Sequence, residues 1–430
     1  MDVMLIAIIM FLFLFFMLLG MPVCFAAGIP ATLYLIVNDI PLSLIAQKMA
    51  FSLTGFNLLA MPAYMLVAMI MNESGITDRI FSFAMDLLGP IRGGLAHANV
   101  ISSLIFAGMS GSALSDVGGL AQVEIKTMVE AGYDKELSIA ISIASATIGP
   151  IFPPSGMFII YALLAEVSVG AMYLAGIIPG ILIAIILMIY IGMISKKRGF
   201  PKGKRVSFKK LSISFLKASP SLAIPLVILG GIISGIFTVV ESAIFAVLFT
   251  IFLGMFVYKE LSLRKLYNCI LEVIYFSSSL MFLVSISLFL GWIFIVSGVP
   301  QFVSQHIISS GISPQILKTL ILIFLLALGC LIENQTIIIL IVPIFIPGLR
   351  AMGIDLVHFG VVMMLIICIG LMTPPMGLSL FIMSNITKVK IERIIREIIP
   401  FLVPLLIITW ILAYIPNLTL YLPKLFNLLD

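Results

Sequence analysis

Long apolar runs, separated by short polar segments, occupy most of the 430 residues of this chain. Several runs reach or approach the roughly 20 residues that an α-helix needs to cross the hydrocarbon core of a bilayer. The clearest are residues 5–19, 178–194, 222–257, 316–349 and 398–415. The pattern predicts an all-α polytopic membrane protein that crosses the bilayer about ten to twelve times.

Residues that break helices recur along the chain at one fixed offset of 221 positions. The first-half positions are Gly108, Gly132, Asp134, Gly149, Pro153, Pro154, Gly156 and Pro179, and their partners are Gly329, Gly353, Asp355, Gly370, Pro374, Pro375, Gly377 and Pro400. Matched helix breaks in two halves of a membrane chain are typical of transporters built from repeats, whose transport site lies near mid-membrane. The alternative is that these residues mark only kinks or tight helix contacts.

Composition narrows the class of protein further. Hydrophobic residues make up 62% of the chain and charged residues only 10%, and the mean hydropathy is +1.27. Because soluble domains carry roughly 25% charged residues, this composition excludes a water-soluble fold. The apolar segment at the N-terminus lacks a preceding basic region and a clear cleavage site, so it is interpreted as a retained first helix rather than a signal peptide.

Basic residues cluster in one segment that contains no acid. Nine of the 24 basic residues lie there: Lys196, Lys197, Arg198, Lys202, Lys204, Arg205, Lys209, Lys210 and Lys217. By the positive-inside rule this segment is cytoplasmic, and it favours a membrane surface over nucleic acid as its partner. Its apolar residues suit a short amphipathic helix on the inner leaflet, formed by Phe208, Leu211, Phe215 and Leu216.

The basic loop at 196–220 divides the chain into a first half, 1–195, and a second half, 221–430. The helix after Pro179 runs into this loop, which places Pro179 near the outer face. Its counterpart Pro400 follows a second basic cluster, which places Pro400 near the inner face. The two halves are therefore predicted to be inverted relative to each other, as in alternating-access carriers.

Each half combines a polar interruption of an apolar run with a helix that is split by prolines. The first half is predicted to hold a re-entrant hairpin at about 98–126 and a broken helix at about 138–165. The second half is predicted to hold a hairpin at about 316–347 and a broken helix at about 356–384. Irregular backbone at membrane depth must be buried in protein or line a watery cavity. Its freed carbonyls and hydroxyls suit a small hard cation, and free helix N-termini favour an anionic group.

Side chains in these breaks are candidates for a substrate cavity between two cation sites. The candidates are Asp116, Ser155, Glu333, Pro153, Pro154, Pro374 and Pro375. Acids inside membrane segments are costly and usually functional, although a structural bond at a helix end is the alternative for Asp116 and Glu333. Asp134 and Asp355 each precede a helix and suit an N-cap. Glu241 is open to either a packing hydrogen bond or a place on the transport path.

The chain offers little for a metal centre or a nucleophilic enzyme. Its three histidines are far apart and its four cysteines form no Cys-x-x-Cys unit, so neither set has metal-ligand spacing. The sequence contains neither the HExxH pattern of zinc proteases nor the GxSxG pattern of hydrolases. A membrane-embedded enzyme is therefore a remote alternative to a transporter.

Six short motifs, spread over nearly the whole length, carry a resemblance to one transporter family. They are residues 20–22 (Gly-Met-Pro), 92–99 (Arg-Gly-Gly-Leu-Ala-His-Ala-Asn), 106–113 (Phe-Ala-Gly-Met-Ser-Gly-Ser-Ala), 148–154 (Ile-Gly-Pro-Ile-Phe-Pro-Pro), 358–362 (His-Phe-Gly-Val-Val) and 371–378 (Leu-Met-Thr-Pro-Pro-Met-Gly-Leu). Together they make the chain resemble the large membrane subunit of tripartite ATP-independent periplasmic (TRAP) transporters.

The resemblance implies an elevator-type sodium symporter in the bacterial inner membrane, with Na⁺ as the coupling ion and no organic cofactor. It also implies a separate small membrane subunit and a periplasmic binding protein that delivers an organic acid anion. By the same resemblance, one sodium site would use Ser110, Gly111, Ser112, Gly149 and Pro150. The other would use Asn334, Thr336, Gly370 and Thr373.

The chain departs from the family pattern at two places. The family usually has Thr-Pro-Thr-Glu where residues 238–241 are Thr-Val-Val-Glu, and an Asp-containing pair where this chain has Glu333-Asn334. Because the chain begins almost directly at its first helix, a small subunit fused at the N-terminus is not expected. The rival function is a stand-alone divalent-anion/sodium symporter or an ion antiporter, which would transport without a binding protein.

Overall fold

The structure, a computed structural model, describes residues 3–110, 120–202, 207–299, 301–302, 305 and 311–429. Within these ranges α-helices are joined by short turns, and there is no β-strand. Six of the described helices are long and apolar enough to cross a membrane by themselves. The predicted all-α membrane fold is therefore confirmed, while the number of passes remains a prediction.

The helices of the first half are α1 (Val3–Leu18), α2 (Val23–Val37), α3 (Ser43–Ser52), α4 (Ala60–Glu73), α5 (Ile76–Leu88), α6 (Gly94–Ser110), α7 (Leu120–Glu130), α8 (Lys135–Ala146), α9 (Gly156–Ala165) and α10 (Val169–Lys197). Those of the second half are α11 (Phe208–Ile233), α12 (Val239–Phe252), α13 (Leu263–Val296), α14 (Pro314–Gly329), α15 (Asn334–Ala351), α16 (Leu356–Gly370), α17 (Leu378–Thr387), α18 (Ile391–Tyr414) and α19 (Asn417–Leu425). A 3₁₀ turn, Phe56–Leu59, precedes α4, and a π-helical turn, Leu253–Val257, follows α12.

The same order of elements occurs twice, in α6 to α10 and in α14 to α18. Helix α8 begins at Lys135 and α16 at Leu356, which is the offset found in the sequence. Both are followed by an irregular break and a short helix, α9 or α17, and then by a long helix, α10 or α18. We call residues 94–197 the first repeat and residues 314–414 the second repeat. The opposite orientation of the repeats and an elevator movement remain predictions.

The two repeats pack reciprocally. Helix α18 lies against α8, α10 lies against α16, and the two long helices also contact each other. The rings of Tyr190 and Phe401 meet edge to face with centroids 4.8 Å apart. The hydroxyl of Tyr161 donates to the Leu356 carbonyl at 2.6 Å. These contacts join the two repeats in one continuous apolar core.

A separate cluster holds the N-terminal helices against the rest of the protein. Helices α1 and α2 pack on each other, and α2 packs on the long helix α13. Ile9, Leu35 and Phe289 are buried where these three helices meet. Leu340 and Ile344 of α15 belong to the same cluster, so the N-terminal helices lie close to the predicted hairpin of the second repeat.

The two aspartates that precede α8 and α16 behave differently. Asp355 Oδ1 accepts a hydrogen bond from the His358 amide at 2.8 Å, as predicted for an N-cap. Asp134 occupies the equivalent position, but its side chain makes no capping hydrogen bond and lies 3.8 Å from Arg198 Nη1. The prediction of a side-chain cap is therefore wrong for Asp134, because its carboxylate lies towards a neighbouring guanidinium instead.

Two features around α11 and α12 also differ from expectation. The amphipathic segment is not a separate short helix but the first turns of α11, which continues through Pro220 and Pro225 to Ile233. Phe208 and Leu216 are nevertheless strongly exposed, as expected at a membrane surface. Glu241 forms a capping box with Thr238 at the start of α12, so helix capping accounts for this acid.

Candidate functional site

The broken helix of the second repeat lies directly against the tip of the adjoining hairpin. A Cβ added at Gly370 would lie 2.6 Å from the backbone of Gly329, and one added at Gly329 would lie 2.8 Å from the Ile367 carbonyl oxygen. The Gly377 amide donates to the Cys330 carbonyl at 3.0 Å. Only glycine allows these two backbones to come so close. The structure therefore brings together Gly329 and Gly370, which the repeat had singled out.

Polar side chains of the hairpin tip are buried beside this contact. Asn334, at the start of α15, is fully buried, and Thr336 is almost so. The Asn334 amide nitrogen donates to Cys368 Sγ at 3.1 Å, but its Oδ1 atom has no hydrogen-bond partner among the described residues. The Oε1 atom of the neighbouring Gln335 is also buried and without a partner there. Leaving such an oxygen unsatisfied costs about 1–3 kcal/mol.

Gln335 is a residue that the sequence did not single out. The polar run 333–336 predicts a hairpin tip, but only its burial in the structure distinguishes Gln335 from a solvated glutamine. Thr373, in the break, is partly buried and donates its hydroxyl to the Ile369 carbonyl at 2.7 Å. Its oxygen remains able to accept a donor or to coordinate a cation. The second set of predicted sodium ligands is thus close in the fold, although occupancy by sodium stays a prediction.

Glu333 and Thr336 line a cavity of about 540 Å³. Its other walls come from the turn between α1 and α2 and from α13, including Gly20, Met21 and Ser279. Glu333 stands at the N-cap position of α15, yet its side chain makes no capping hydrogen bond. The structural alternative for Glu333, a bond at a helix end, is therefore not observed. Pro374 and Pro375, the other candidates from this repeat, are not among the residues that line this cavity.

The break in the first repeat is more deeply buried than its counterpart. Both breaks contain a cis peptide bond between two prolines, Pro153-Pro154 and Pro374-Pro375. Pro153, Pro154 and Ser155 are buried, whereas Pro375 is exposed. The Ser155 hydroxyl donates to the Pro150 carbonyl at 2.7 Å, so this serine stabilises the break itself.

The first predicted sodium site is only partly within the described residues. Gly149 and Pro150 are buried in the break that follows α8. Ser110 ends α6, and nothing further is described of its side chain. Gly111, Ser112 and Asp116 lie in the segment 111–119, outside the described residues. This site therefore stays a prediction from the sequence.

The contacts of His358 support a structural role. His358 is buried, and its ring nitrogens lie 2.8 Å from Thr419 Oγ1 and 3.2 Å from the Ala413 carbonyl oxygen. Among the described residues, no group of three or more His, Cys, Asp and Glu side chains could hold a metal ion. The described polar groups beside the second break are amides, hydroxyls and the Glu333 carboxylate, whose oxygens can coordinate a hard cation.

Comparisons with known proteins identify similar transporters. The profile of the family described as "Tripartite ATP-independent periplasmic transporter, DctM component" matches residues 8–418. The chain is 41% identical over 412 residues to the sialic acid TRAP transporter large permease protein SiaM of Vibrio cholerae, covering 95% of this chain and 96% of that protein. It is 38% identical over 418 residues to the sialic acid TRAP transporter permease protein SiaT of Haemophilus influenzae, covering 96% of this chain and 67% of that protein.

A solved structure shares the fold at low sequence identity. The crystal structure of the YdaH transporter of Alcanivorax borkumensis superposes with a TM-score of 0.63 at 14% identity. The match covers 87% of this chain and 88% of that one. At this identity the likeness concerns the arrangement of helices alone.

Proposed function

Because the chain belongs to the family of DctM components of TRAP transporters, we propose that it is a sodium-coupled symporter of a small organic acid anion. The observation that carries the proposal is the pair of buried, unpartnered oxygens, Asn334 Oδ1 and Gln335 Oε1, beside the cavity at Glu333. A small cation bound beside one of these oxygens would supply its missing interaction.

The charge of Glu333 gives a physical reason for coupling. An anionic substrate in the cavity would lie near this carboxylate, and two like charges about 4 Å apart repel by about 4 kcal/mol at an effective dielectric constant of 20. A sodium ion bound at the hairpin tip would offset that repulsion. The N-terminus of α15, which also faces the cavity through Glu333 and Thr336, would then favour the anion through its dipole. Sodium binding would therefore precede or accompany substrate binding.

Transport itself would be an elevator-type movement of the two repeats against the rest of the protein. The reciprocal packing of α18 on α8 and of α10 on α16 supports a single moving unit. The cavity at Glu333 would then lie between this unit and a second body that contains α1, α2 and α13. Sodium that moves with the substrate would draw on the membrane potential, at about 2.3 kcal/mol per charge and 100 mV.

The family description, a component of a tripartite transporter, supports two partners for this chain. These are a small membrane subunit and a periplasmic binding protein, in the bacterial inner membrane. The two curated relatives above are both named for sialic acid. A sialic acid is therefore the first organic acid to test, and C4-dicarboxylates, sugar acids and keto acids follow.

The experiment is uptake of the radiolabelled acid into proteoliposomes that hold this chain with its small subunit. The binding protein and an inward sodium gradient are each added or withheld. We expect uptake only when both are present. Uptake without the binding protein would instead favour the stand-alone carrier, and uptake without sodium would refute the coupling.

A further inference from the structure

A buried carboxylate joins α6 and α7, the two helices of the predicted first hairpin. Glu124, on α7, is only 1% exposed in a chain of which 10% of residues are charged. Its Oε2 atom accepts a hydrogen bond from Asn99 Nδ2 at 2.7 Å, and its Oε1 atom accepts one from Ser102 Oγ at 2.5 Å. Asn99 and Ser102 both belong to α6. The carboxylate therefore holds α7 to α6 through two short, directional contacts.

The same amide extends the network to the broken helix. Asn99 Nδ2 also donates to Ser142 Oγ at 2.7 Å, and Asn99 Oδ1 accepts from Ser145 Oγ at 2.6 Å. Both serines lie on α8, and Ser145 is four residues before Gly149 in the break. Five side chains thus connect three helices immediately before the predicted first sodium site. Polar networks of this kind are rigid when they are satisfied, and the loss of one partner is costly at low dielectric.

The second repeat has nothing comparable at the matched positions. An offset of 221 places Leu320, Ile323, Phe345, Met363 and Ile366 where the first repeat has Asn99, Ser102, Glu124, Ser142 and Ser145. All five are apolar. A network that only one repeat carries is not needed to form the shared backbone, since the second repeat forms that backbone without it. The network is therefore particular to the first repeat.

We infer that Glu124 and Asn99 are positioning residues that clamp the first hairpin to the helix leading into Gly149 and Pro150, and so set the sodium affinity of the first site. The inference rests on the proposed sodium coupling. Glu124 would not touch sodium itself. It would act through Asn99 and Ser145, which keep α8 in register with α6 while the ion is bound.

The test uses the complete transporter in proteoliposomes, with three readouts. These are the sodium concentration at half-maximal uptake, the substrate KM at saturating sodium, and the maximal rate. We expect Glu124→Gln to raise the half-maximal sodium concentration about tenfold, while the substrate KM at saturating sodium changes less than about twofold. The glutamine keeps the size of the side chain but places a second amide against that of Asn99.

A swapped pair distinguishes positioning from a general structural defect. In the double variant Asn99→Asp, Glu124→Gln, the amide donates from position 124 and the carboxylate at position 99 accepts from it and from both serines. We expect this variant to return the sodium dependence to within about threefold of the parent. Phe345→Leu, at the position in the second repeat that matches Glu124, is the control and should leave the sodium dependence unchanged.

The outcomes separate the inference from the proposed function. Sodium-independent uptake by the parent transporter would refute the coupling and, with it, the premise of the inference. Sodium-dependent uptake by the parent with an unchanged sodium dependence in Glu124→Gln would refute the inference alone. If Glu124→Gln does not fold, Ser145→Ala removes only the hydroxyl that donates to Asn99 Oδ1 and to the Ser142 carbonyl, and we expect it to raise the half-maximal sodium concentration about threefold. A fall in maximal rate without any sodium effect would also overturn the inference.

Discussion

The two repeats share a backbone plan but are held together by different chemistry. In the first repeat, hydrogen bonds around Glu124 and Asn99 tie the hairpin limbs to α8. In the second repeat, the hairpin tip and the break are in direct backbone contact at Gly329 and Gly370. The side chains at the positions that match the network of the first repeat are apolar. Hydrogen bonds are directional, whereas apolar contacts depend mainly on buried area. Two similar folds can therefore differ in how much their parts are free to shift.

The two breaks also differ in burial. The first break is buried, and its Ser155 hydroxyl is satisfied within the break. The second break is partly exposed, and buried oxygens beside it at Asn334 and Gln335 lack partners. We expect the first repeat to be sensitive to changes in its buried network, and the second repeat to be sensitive to changes at the unsatisfied oxygens beside its break.

The largest effect is expected at the glycine contact of the second repeat. Because a Cβ at Gly370 would lie 2.6 Å from the Gly329 backbone, Gly370→Ala must push the hairpin tip away from the break. We expect uptake to fall at least about tenfold and the stability to fall by about 1–3 kcal/mol, read from proteoliposome assays and thermal unfolding in detergent. Gly230→Ala is the control, because a Cβ there meets nothing within 4 Å. Equal losses in both variants would contradict the close approach as the cause.

An intermediate effect on the sodium dependence is expected at the unsatisfied oxygens of the second repeat, Asn334 Oδ1 and Gln335 Oε1. Asn334→Ala or Gln335→Ala should raise the half-maximal sodium concentration about fivefold to tenfold, which corresponds to about 1–1.4 kcal/mol. Gln315→Ala is the matched control and should not change it, since Gln315 is exposed at the start of α14 in the same repeat. The same sodium dependence in all three variants would remove the second site from the mechanism.

The smallest effect is expected for an ion pair outside both repeats. The stability lost there is the reference for the losses expected within the repeats. Arg79 donates to Glu260 at 2.5 Å, and this hydrogen bond lowers the pKa of the Glu260 carboxyl below its ordinary value of 4.5. A carboxyl with a lowered folded-state pKa contributes stability above its unfolded pKa, and the contribution is lost as the pH falls through the folded pKa. Because the pair is partly exposed, its loss in Arg79→Ala should cost no more than about 1 kcal/mol at pH 7, apart from the hydrogen bond to the Gly75 carbonyl and the contact with the Tyr258 ring, which do not depend on the Glu260 charge.

The pH dependence of this stability loss tests whether the ion pair acts through the charge of Glu260. The difference in Tm between Arg79→Ala and the parent should shrink as the pH falls below 4.5, the ordinary pKa of the carboxyl. Arg264→Ala is the control, because Arg264 is exposed on the following helix and forms no ion pair with any described residue. A difference that grew on acidification would show that the pair does not act through the Glu260 charge.

Local patterns predicted much of this protein. The hydropathy indicated a membrane protein, and the recurring glycines and prolines marked the two breaks that the structure contains. The Asp355 cap followed from its position alone. Where a long-range partner intervened, local reasoning was wrong, as for Asp134 beside Arg198. The amphipathic segment at Phe208 was recognised, but its continuation into a 26-residue helix was not.

The functional side chains were predicted less completely. Glu333 and Thr336 were singled out as acid and hydroxyl in a polar run, and the structure places both at one cavity. Gln335 and Glu124 were missed, because nothing in the sequence near them shows that they are buried. Glu124 looks like one charge of an ordinary amphipathic helix until Asn99 and Ser102 are found against it.

By itself the sequence determined that this chain belongs in a membrane, where its helices break, and that the breaks occur in matched pairs. Hydropathy and backbone-breaking residues act within a few positions of the chain, so these features can be read locally. Only the tertiary structure decided which polar atoms are satisfied and which face the cavity. Those properties depend on contacts such as Asn99 with Ser145, 46 residues apart, because burial and hydrogen-bond partners are set by packing between helices.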